Sequence, residues 1–208
     1  MKVVVFIDVQ NDFVKGGALP YAYPEEPNHQ KIVEFANECR KRGYAMFATL
    51  DTHYPSKDAG CCHTAYAETY EGKNLPIEHC IIKTEGHRLI EGLSRTTDAM
   101  HFVNIPRGHQ IMKEAFGTDQ LVSIIRSNAC VTQENIEEIV LCGYCTSICV
   151  VSNALVLRAA FPNTPITVIG ELCGDIDKES HFAALKVMHN CMIFNKAASA
   201  VLDPQDAS

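Results

Sequence analysis

The chain has no tryptophan, no excess of basic residues, no second CxxC pair beside Cys142 and Cys145, and no apolar run long enough to cross a bilayer. Each lack removes a class of function. A formal net charge of -7 leaves little basic surface to neutralise phosphates, so nucleic acid is not expected as a partner. The N-terminal run "MKVVVFIDVQ" carries one Lys, breaks at Asp8 and has no small-residue cleavage site. It is too short for a signal peptide or a span, so no membrane partner is expected either. A zinc ribbon needs two CxxC pairs, so it is not expected. The ten cysteines lie in a chain of ordinary size, and Cys142, Cys149 and Cys191 fall in apolar stretches. There a reduced thiol behaves as a small hydrophobe, and the expectation is a cytoplasmic, reduced protein.

What is present is a chain of 208 residues, 47% apolar and 21% charged, enough for one globular domain (1–208) with a full core. Short β-branched runs alternate with helical patterns. "VVVFIDV" (3–9), "AMFATLD" (45–51), "HFVN" (101–104), "EEIVLCG" (137–143), "PITVIGEL" (165–172) and "CMIFN" (191–195) read as strands. Helices are expected over "HQKIVEFANECRKRGYA", stopped by Gly43, over 118–128 with Thr118 or Asp119 as N-cap, after Gly143, and over 177–190. Such alternation predicts an α/β fold: a three-layer, doubly wound, mostly parallel, Rossmann-like sheet in a single domain. Segment 52–100 is the least regular and is expected to form loops over the site.

Open parallel sheets bind ligands beyond the carboxyl ends of their strands. Asp8 ends the first expected strand, and Asp51 ends the second with His53 two residues on. Gly143 ends another and leads into Cys145 and Cys149. Alone, each acid reads more readily as a cap or a surface charge, and Cys149 as a core thiol. Asp51 and His53, two apart at a strand end, point the same way. With His79 from a nearby loop they make a candidate site for a divalent metal, with zinc first and iron or manganese as alternatives. Asp51 as a turn cap and His79 as a surface residue is the bland alternative. "GCCHT" (60–64) reads as loop, because adjacent cysteines cannot easily share one ion; no role is assigned to Cys61, Cys62 or His63. His181 reads as helix structure, and His29, His87, His101, His109 and His189 show no partners.

The segments "FIDVQNDFVKGGAL", "DTH", "LPIEHC", "KEAFG" and "LCGYCTSICVVSNAL" occur in order along residues 2–195. In that order and spacing the chain resembles the isochorismatase-like cysteine hydrolases, the superfamily that includes nicotinamidases. The resemblance implies that fold, with Cys149 as nucleophile, Asp8 as general base and Lys113 as the third catalytic member. It implies a cis peptide between Tyr144 and Cys145, a divalent metal on Asp51, His53 and His79, and Phe13, with Tyr144, among the substrate-binding residues. Isochorismatases proper generally lack the cysteine, so Cys149 argues against vinyl-ether cleavage. Two family features are missing: Pro76 stands where nicotinamidases usually have a Trp, and "YPSKDAG" after His53 lacks a further His. Physical chemistry adds two expectations. A cysteine at a helix N-terminus near a Lys should have a depressed pKa. The N–H groups of Cys145 and Cys149 should form an oxyanion hole.

The leading expectation is therefore a hydrolase of a small-molecule amide, best nicotinamide, acting through a thioester on Cys149. Another small amide or an N-carbamoyl compound is the runner-up, and a non-catalytic ligand-binding homologue the third reading. Members of this family commonly associate, so a homo-oligomer is expected.

Overall fold

Six strands form one sheet in the order β3-β2-β1-β4-β5-β6, every neighbouring pair parallel. They are β1 (Lys2–Ile7), β2 (Ala45–Asp51), β3 (Gln110–Lys113), β4 (Glu138–Tyr144), β5 (Ile166–Gly174) and β6 (Ile193–Asn195). The computed structural model describes residues 1–55, 63–93, 105–128, 131 and 135–203. The central strands β1 and β4 are buried along their whole length. A parallel sheet covered on both faces requires this, and it is why both read as continuous apolar runs.

The helices are α1 (His29–Lys41), α2 (Tyr70–Asn74), α3 (Gln120–Ser127), α4 (Val151–Ala160), α5 (Lys178–Asn190) and α6 (Ala198–Leu202). Helices α1 and α6 pack together on one side, while α3, α4 and α5 pack as neighbours in a second group. Helix α1 stops at Gly43 as its sequence predicts. Gly43 takes φ 68°, and its N–H donates to Arg40 O while that of Tyr44 donates to Cys39 O, at 3.1 Å each. These are the two bonds of a Schellman cap. At α3 the residue preceding the helix is Asp119, yet its side chain caps nothing; Thr118 Oγ1 instead accepts from Gln120 N–H at 3.2 Å.

Two sequence expectations shift, and a third cannot be placed. The strand expected at 101–104 lies outside the described residues. The edge strand is β3, four residues with alternating burial, too short to stand out as a periodic run. The first strand ends at Ile7, because Asp8 turns into the left-handed region at φ 49°, a conformation that Asp tolerates better than most residues. The helix expected after Gly143 opens instead with a π-helical turn, Thr146–Val150, before α4.

Strand order reverses between β1 and β4, the two strands that start the outward windings. That switch point leaves a crevice at the carboxyl edge of the sheet. Gly143 closes its floor: its φ is 132°, and a Cβ there would lie 2.0 Å from Ile7 O. Only glycine lets β4 run this close to β1 at the crevice.

Candidate active site

Four strand ends converge on the crevice. Asp8 follows β1, Asp51 ends β2, Lys113 ends β3 and Cys149 sits in the π turn after β4. Asp51 and Lys113 are register partners across β2 and β3, so both side chains leave the sheet at the same level. Lys113 Nζ lies 2.7 Å from Asp8 Oδ2, 3.3 Å from Asp51 Oδ1 and 3.5 Å from Cys149 Sγ. Asp8 is held from behind: Thr49 Oγ1 donates to its Oδ1 at 2.6 Å.

This ammonium is 1% exposed, and the Asp8 carboxylate is fully buried. Burial alone would discharge both. For Lys113 burial pulls the pKa down, but the facing carboxylates of Asp8 and Asp51, with the sulfur of Cys149 beside them, outweigh it and hold the pKa well above the ordinary value. Burial lifts the Asp8 carboxyl above its usual range, with Lys113 pulling the other way and Asp51 adding to the rise. The expected depressed thiol is not found. Burial pushes Cys149 well above the ordinary cysteine range; Lys113 opposes this, but Asp8 and Asp51 reinforce it. The expectation counted the helix end and the lysine and overlooked two carboxylates in a dry pocket. The π turn also removes the regular first helical turn from beneath the sulfur. The resting site therefore favours a neutral thiol beside a carboxylate with raised basicity.

The peptide between Tyr144 and Cys145 is cis. Cys145 precedes the π turn, and its carbonyl accepts from the N–H groups of Ile148 and Val150 at 3.2 and 3.0 Å. Its thiol is pushed up to about 12, mainly by burial. Tyr144, expected among the substrate-binding residues, is fully buried. Its hydroxyl donates to Asn28 Oδ1 at 2.8 Å and its ring stacks on Tyr21, so this side chain faces the interior. Phe13 does sit at the site, its ring centroid 5.7 Å from that of His79.

The second constellation also assembles, and it gains a member. Ligating atoms of Asp51, His53, Glu71 and His79 lie within 4.8 Å of one another. Asp51 Oδ2 is 3.1 Å from His53 Nε2 and 3.3 Å from His79 Nε2. Glu71 Oε1 stands 3.7 and 3.5 Å from the same two nitrogens. His79 Nδ1 donates to the Ile77 carbonyl at 2.8 Å and turns Nε2 toward the cluster, where it would give its lone pair to an ion in exchange for a proton, the usual outer-shell arrangement for a metal-binding histidine. Burial would lift Asp51, but Lys113, His53 and His79 together bring it well below the usual carboxylate range. His79 is pushed up to about 10, because Asp51 and Glu71 outweigh its burial. Two carboxylates and two imidazoles crowded this closely fit a divalent cation.

Glu71 carried no signal in the sequence. It rides in the first turn of α2, a five-residue helix capped by Thr69 Oγ1, which accepts from Gly72 N–H at 2.9 Å; only the fold of 63–80 brings it to Asp51. A cavity of about 440 Å³ opens beside the cluster, lined by His53, Tyr54, Tyr70, Glu71, Leu75 and Phe116 among others, within the size range of small-molecule sites.

The other histidines divide. His181 is buried in α5, with Nδ1 2.9 Å from Thr146 Oγ1. Two of those expected to lack partners have them: His87 Nε2 meets Thr52 Oγ1 at 2.9 Å, and His109 bonds Met46 O and Asn128. His63 pairs with Glu114 at 3.0 Å. Cys61, Cys62 and His101 lie outside the described residues.

The fold and the crevice define a doubly wound α/β protein whose polar cluster sits at the switch point of its sheet. Its class is settled by sequence: the chain belongs to the isochorismatase family, whose domain model matches residues 2–199, and it is an isochorismatase-family hydrolase. Solved structures share the fold at low identity. A nicotinamidase from Bacillus subtilis superposes with TM-score 0.69 at 22% identity, over 94% of this chain and 98% of that one. A pyrazinamidase from Pyrococcus horikoshii in complex with zinc gives 0.63 at 20%, over 94% and 98%. An isochorismatase family protein from Desulfovibrio vulgaris gives 0.71 at 16%, over 99% and 98%. A comparison with curated protein sequences returns no match. Among the described residues no helix is long and apolar enough to cross a membrane.

Proposed function

We propose that the protein is a cysteine-dependent amidohydrolase cleaving a small amide C–N bond, with nicotinamide, giving nicotinate and ammonia, as the first candidate substrate. The observation that carries this reading is the buried triangle of Asp8, Lys113 and Cys149, with Lys113 Nζ 2.7 Å from the carboxylate and 3.5 Å from the sulfur. A neutral thiol beside a carboxyl of raised pKa suits a coupled step: Cys149 Sγ attacks the amide carbon as its proton passes to Asp8. Asp8 then gives that proton to the departing nitrogen, the C–N bond breaks, and ammonia leaves a thioester on Cys149. Water adds to the thioester, Asp8 takes its proton and returns one to the sulfur, and the acid is released. Lys113 keeps charge balanced as the proton moves between its two neighbours. The N–H groups of Cys145 and Cys149 receive the developing oxyanion, each such donor contributing roughly 3–4 kcal/mol in the transition state.

Asp51, His53, Glu71 and His79 would hold a divalent ion, zinc first. Such an ion supplies a Lewis-acid anchor for a substrate lone pair such as a pyridine nitrogen. Phe13, packed on His79, would cover one side of the bound ring. Among the solved structures that share the fold are the pyrazinamidase in complex with zinc and a protein from L. infantum in complex with nicotinate, which supports this choice of ion and substrate. Pro76 in place of a Trp favours the second reading, another small amide or an N-carbamoyl compound.

A reduced, cytoplasmic setting fits the unpaired thiols of the described cysteines. A homo-oligomer fits the exposed Phe182, Met192 and Phe194 around α5 and β6; sedimentation at increasing concentration tests it.

Ammonia release from nicotinamide, with and without prior chelation, tests the function. Release that is lost on chelation and restored by zinc is expected. No release from any of a panel of small amides would overturn the amidase reading; release from other amides but not nicotinamide would move the substrate to the second reading.

A further inference from the structure

The stretch "DVQNDF" (Asp8–Phe13) is only partly used by the reaction above, which takes Asp8 and Phe13 and leaves Gln10 and Asp12 without a role. Gln10 is fully buried, and its amide is committed on both sides. Its Oε1 accepts from Asp51 N–H at 2.8 Å, and its Nε2 donates to Asp51 O at 2.9 Å and to His87 O at 2.8 Å. One side chain thus grips both backbone groups of a single residue, as a neighbouring strand would. It does so just where β2 ends and regular pairing with β1 stops. Asp12 does the same for the other arm of the cluster. Its Oδ2 accepts from Cys80 N–H at 2.7 Å, one residue after His79, while Oδ1 accepts from Ala18 N–H at 3.0 Å. The segment after His79 then pairs with His53: His53 N–H donates to Cys80 O at 3.1 Å, and Ile82 N–H to His53 O at 2.9 Å. Space for the Asp12 carboxylate is provided by Gly86, where a Cβ would lie 2.1 Å from Asp12 Oδ2.

We propose that Gln10 and Asp12 are positioning residues for the metal site, fixing the backbones that carry Asp51 and His79 so that their donor atoms converge. The turn after β1 thereby ties the metal cluster to the same strand end that presents Asp8. This inference rests on the reading of Asp51, His53, Glu71 and His79 as metal ligands. Neither residue touches the ion or the substrate, so their effect should appear in metal affinity while the thiol chemistry of Cys149 is left in place.

The probe is zinc alone, titrated in competition with a chromophoric chelator against wild-type, Gln10→Ala, Asp12→Asn and Gly86→Ala. The last displaces the Asp12 carboxylate without altering any residue of the cluster. Outer-shell changes of this kind typically weaken metal binding by about 10–100-fold, and that loss is expected in each folded variant. The rate of Cys149 alkylation in the metal-free proteins should stay within about threefold of wild-type, as expected when the lost anchors hydrogen-bond neither Cys149 nor Lys113. Unchanged zinc affinity in a folded Gly86→Ala or Asp12→Asn would overturn the proposal, and so would parallel losses in zinc affinity and alkylation, which mark general loosening. If Gln10→Ala does not fold, the other two variants decide. Failure of the wild-type protein to bind any divalent ion would instead defeat the metal reading, and the proposal with it.

Discussion

Replacing Lys113 with Met keeps an unbranched side chain, one atom shorter, and removes one charge from the middle of the site. In the metal-free protein that charge is shared by Asp8 at 2.7 Å and Asp51 at 3.3 Å, with all three side chains no more than 4% exposed. Breaking a buried ion pair by deleting one partner typically costs 3–5 kcal/mol, because the orphaned charge cannot return to water. About 3–5 kcal/mol is therefore expected near pH 8, a fall in melting temperature of roughly 6–20 °C for a chain of this size. The loss must depend on pH. With the cation gone, the Asp8 carboxyl, already raised by burial, rises further. An acid whose folded pKa exceeds its unfolded value of about 3.9 binds more protons folded than unfolded, so stability falls as pH rises through that window. The deficit should be largest at pH 8 and shrink as the pH approaches 4. Urea unfolding followed by circular dichroism at several pH values, with chelator present, measures it; the chain has no tryptophan to report by fluorescence. A deficit below about 1 kcal/mol, or one that does not change with pH, would refute the account of Lys113 as the counter-charge of the site.

The proposed roles yield further outcomes. Cys149→Ala should abolish turnover while Cys145→Ala keeps most of it, since Cys145 contributes backbone; the reverse result in the ammonia assay would overturn the assignment. Iodoacetamide should label Cys149 slowly at neutral pH and faster only above the ordinary thiol range, because burial and two carboxylates raise its pKa. Asp8→Asn removes one of those carboxylates, so labelling at a fixed pH should quicken even as turnover is lost; slower labelling would contradict the charge argument. Gly143→Ala should destabilise by on the order of 3 kcal/mol or more, given the contact of its Cβ with Ile7 O, and a soluble variant with wild-type melting would show that the strands can part.

Much of this protein was legible in order along the chain. Buried parallel strands need continuous apolar runs, so β1, β2 and β4 announced themselves, and Gly43 marked the end of α1 by the conformation it alone adopts easily. Asp8, Asp51 and Cys149 could be placed at strand ends from sequence because in a doubly wound sheet every strand ends on the same edge. Other features depended on contacts that no local pattern encodes. Four-residue β3 lies at the sheet edge and is defined by pairing with β2, so the level at which Lys113 enters the crevice is a matter of register. Glu71 joins the metal cluster through the path of a short helix whose sequence resembles any capped turn. The charge state of Cys149 turned on burial, which only packing sets: a helix end and a lysine alone favour a thiolate, but two carboxylates sealed from water reverse the sign. The sequence by itself determined the alternation, the sheet and most of the chemically able residues, because those follow from local periodicity and side-chain type. The tertiary structure decided which of them meet, at what distance and with which protons, because those depend on register and on the exclusion of water.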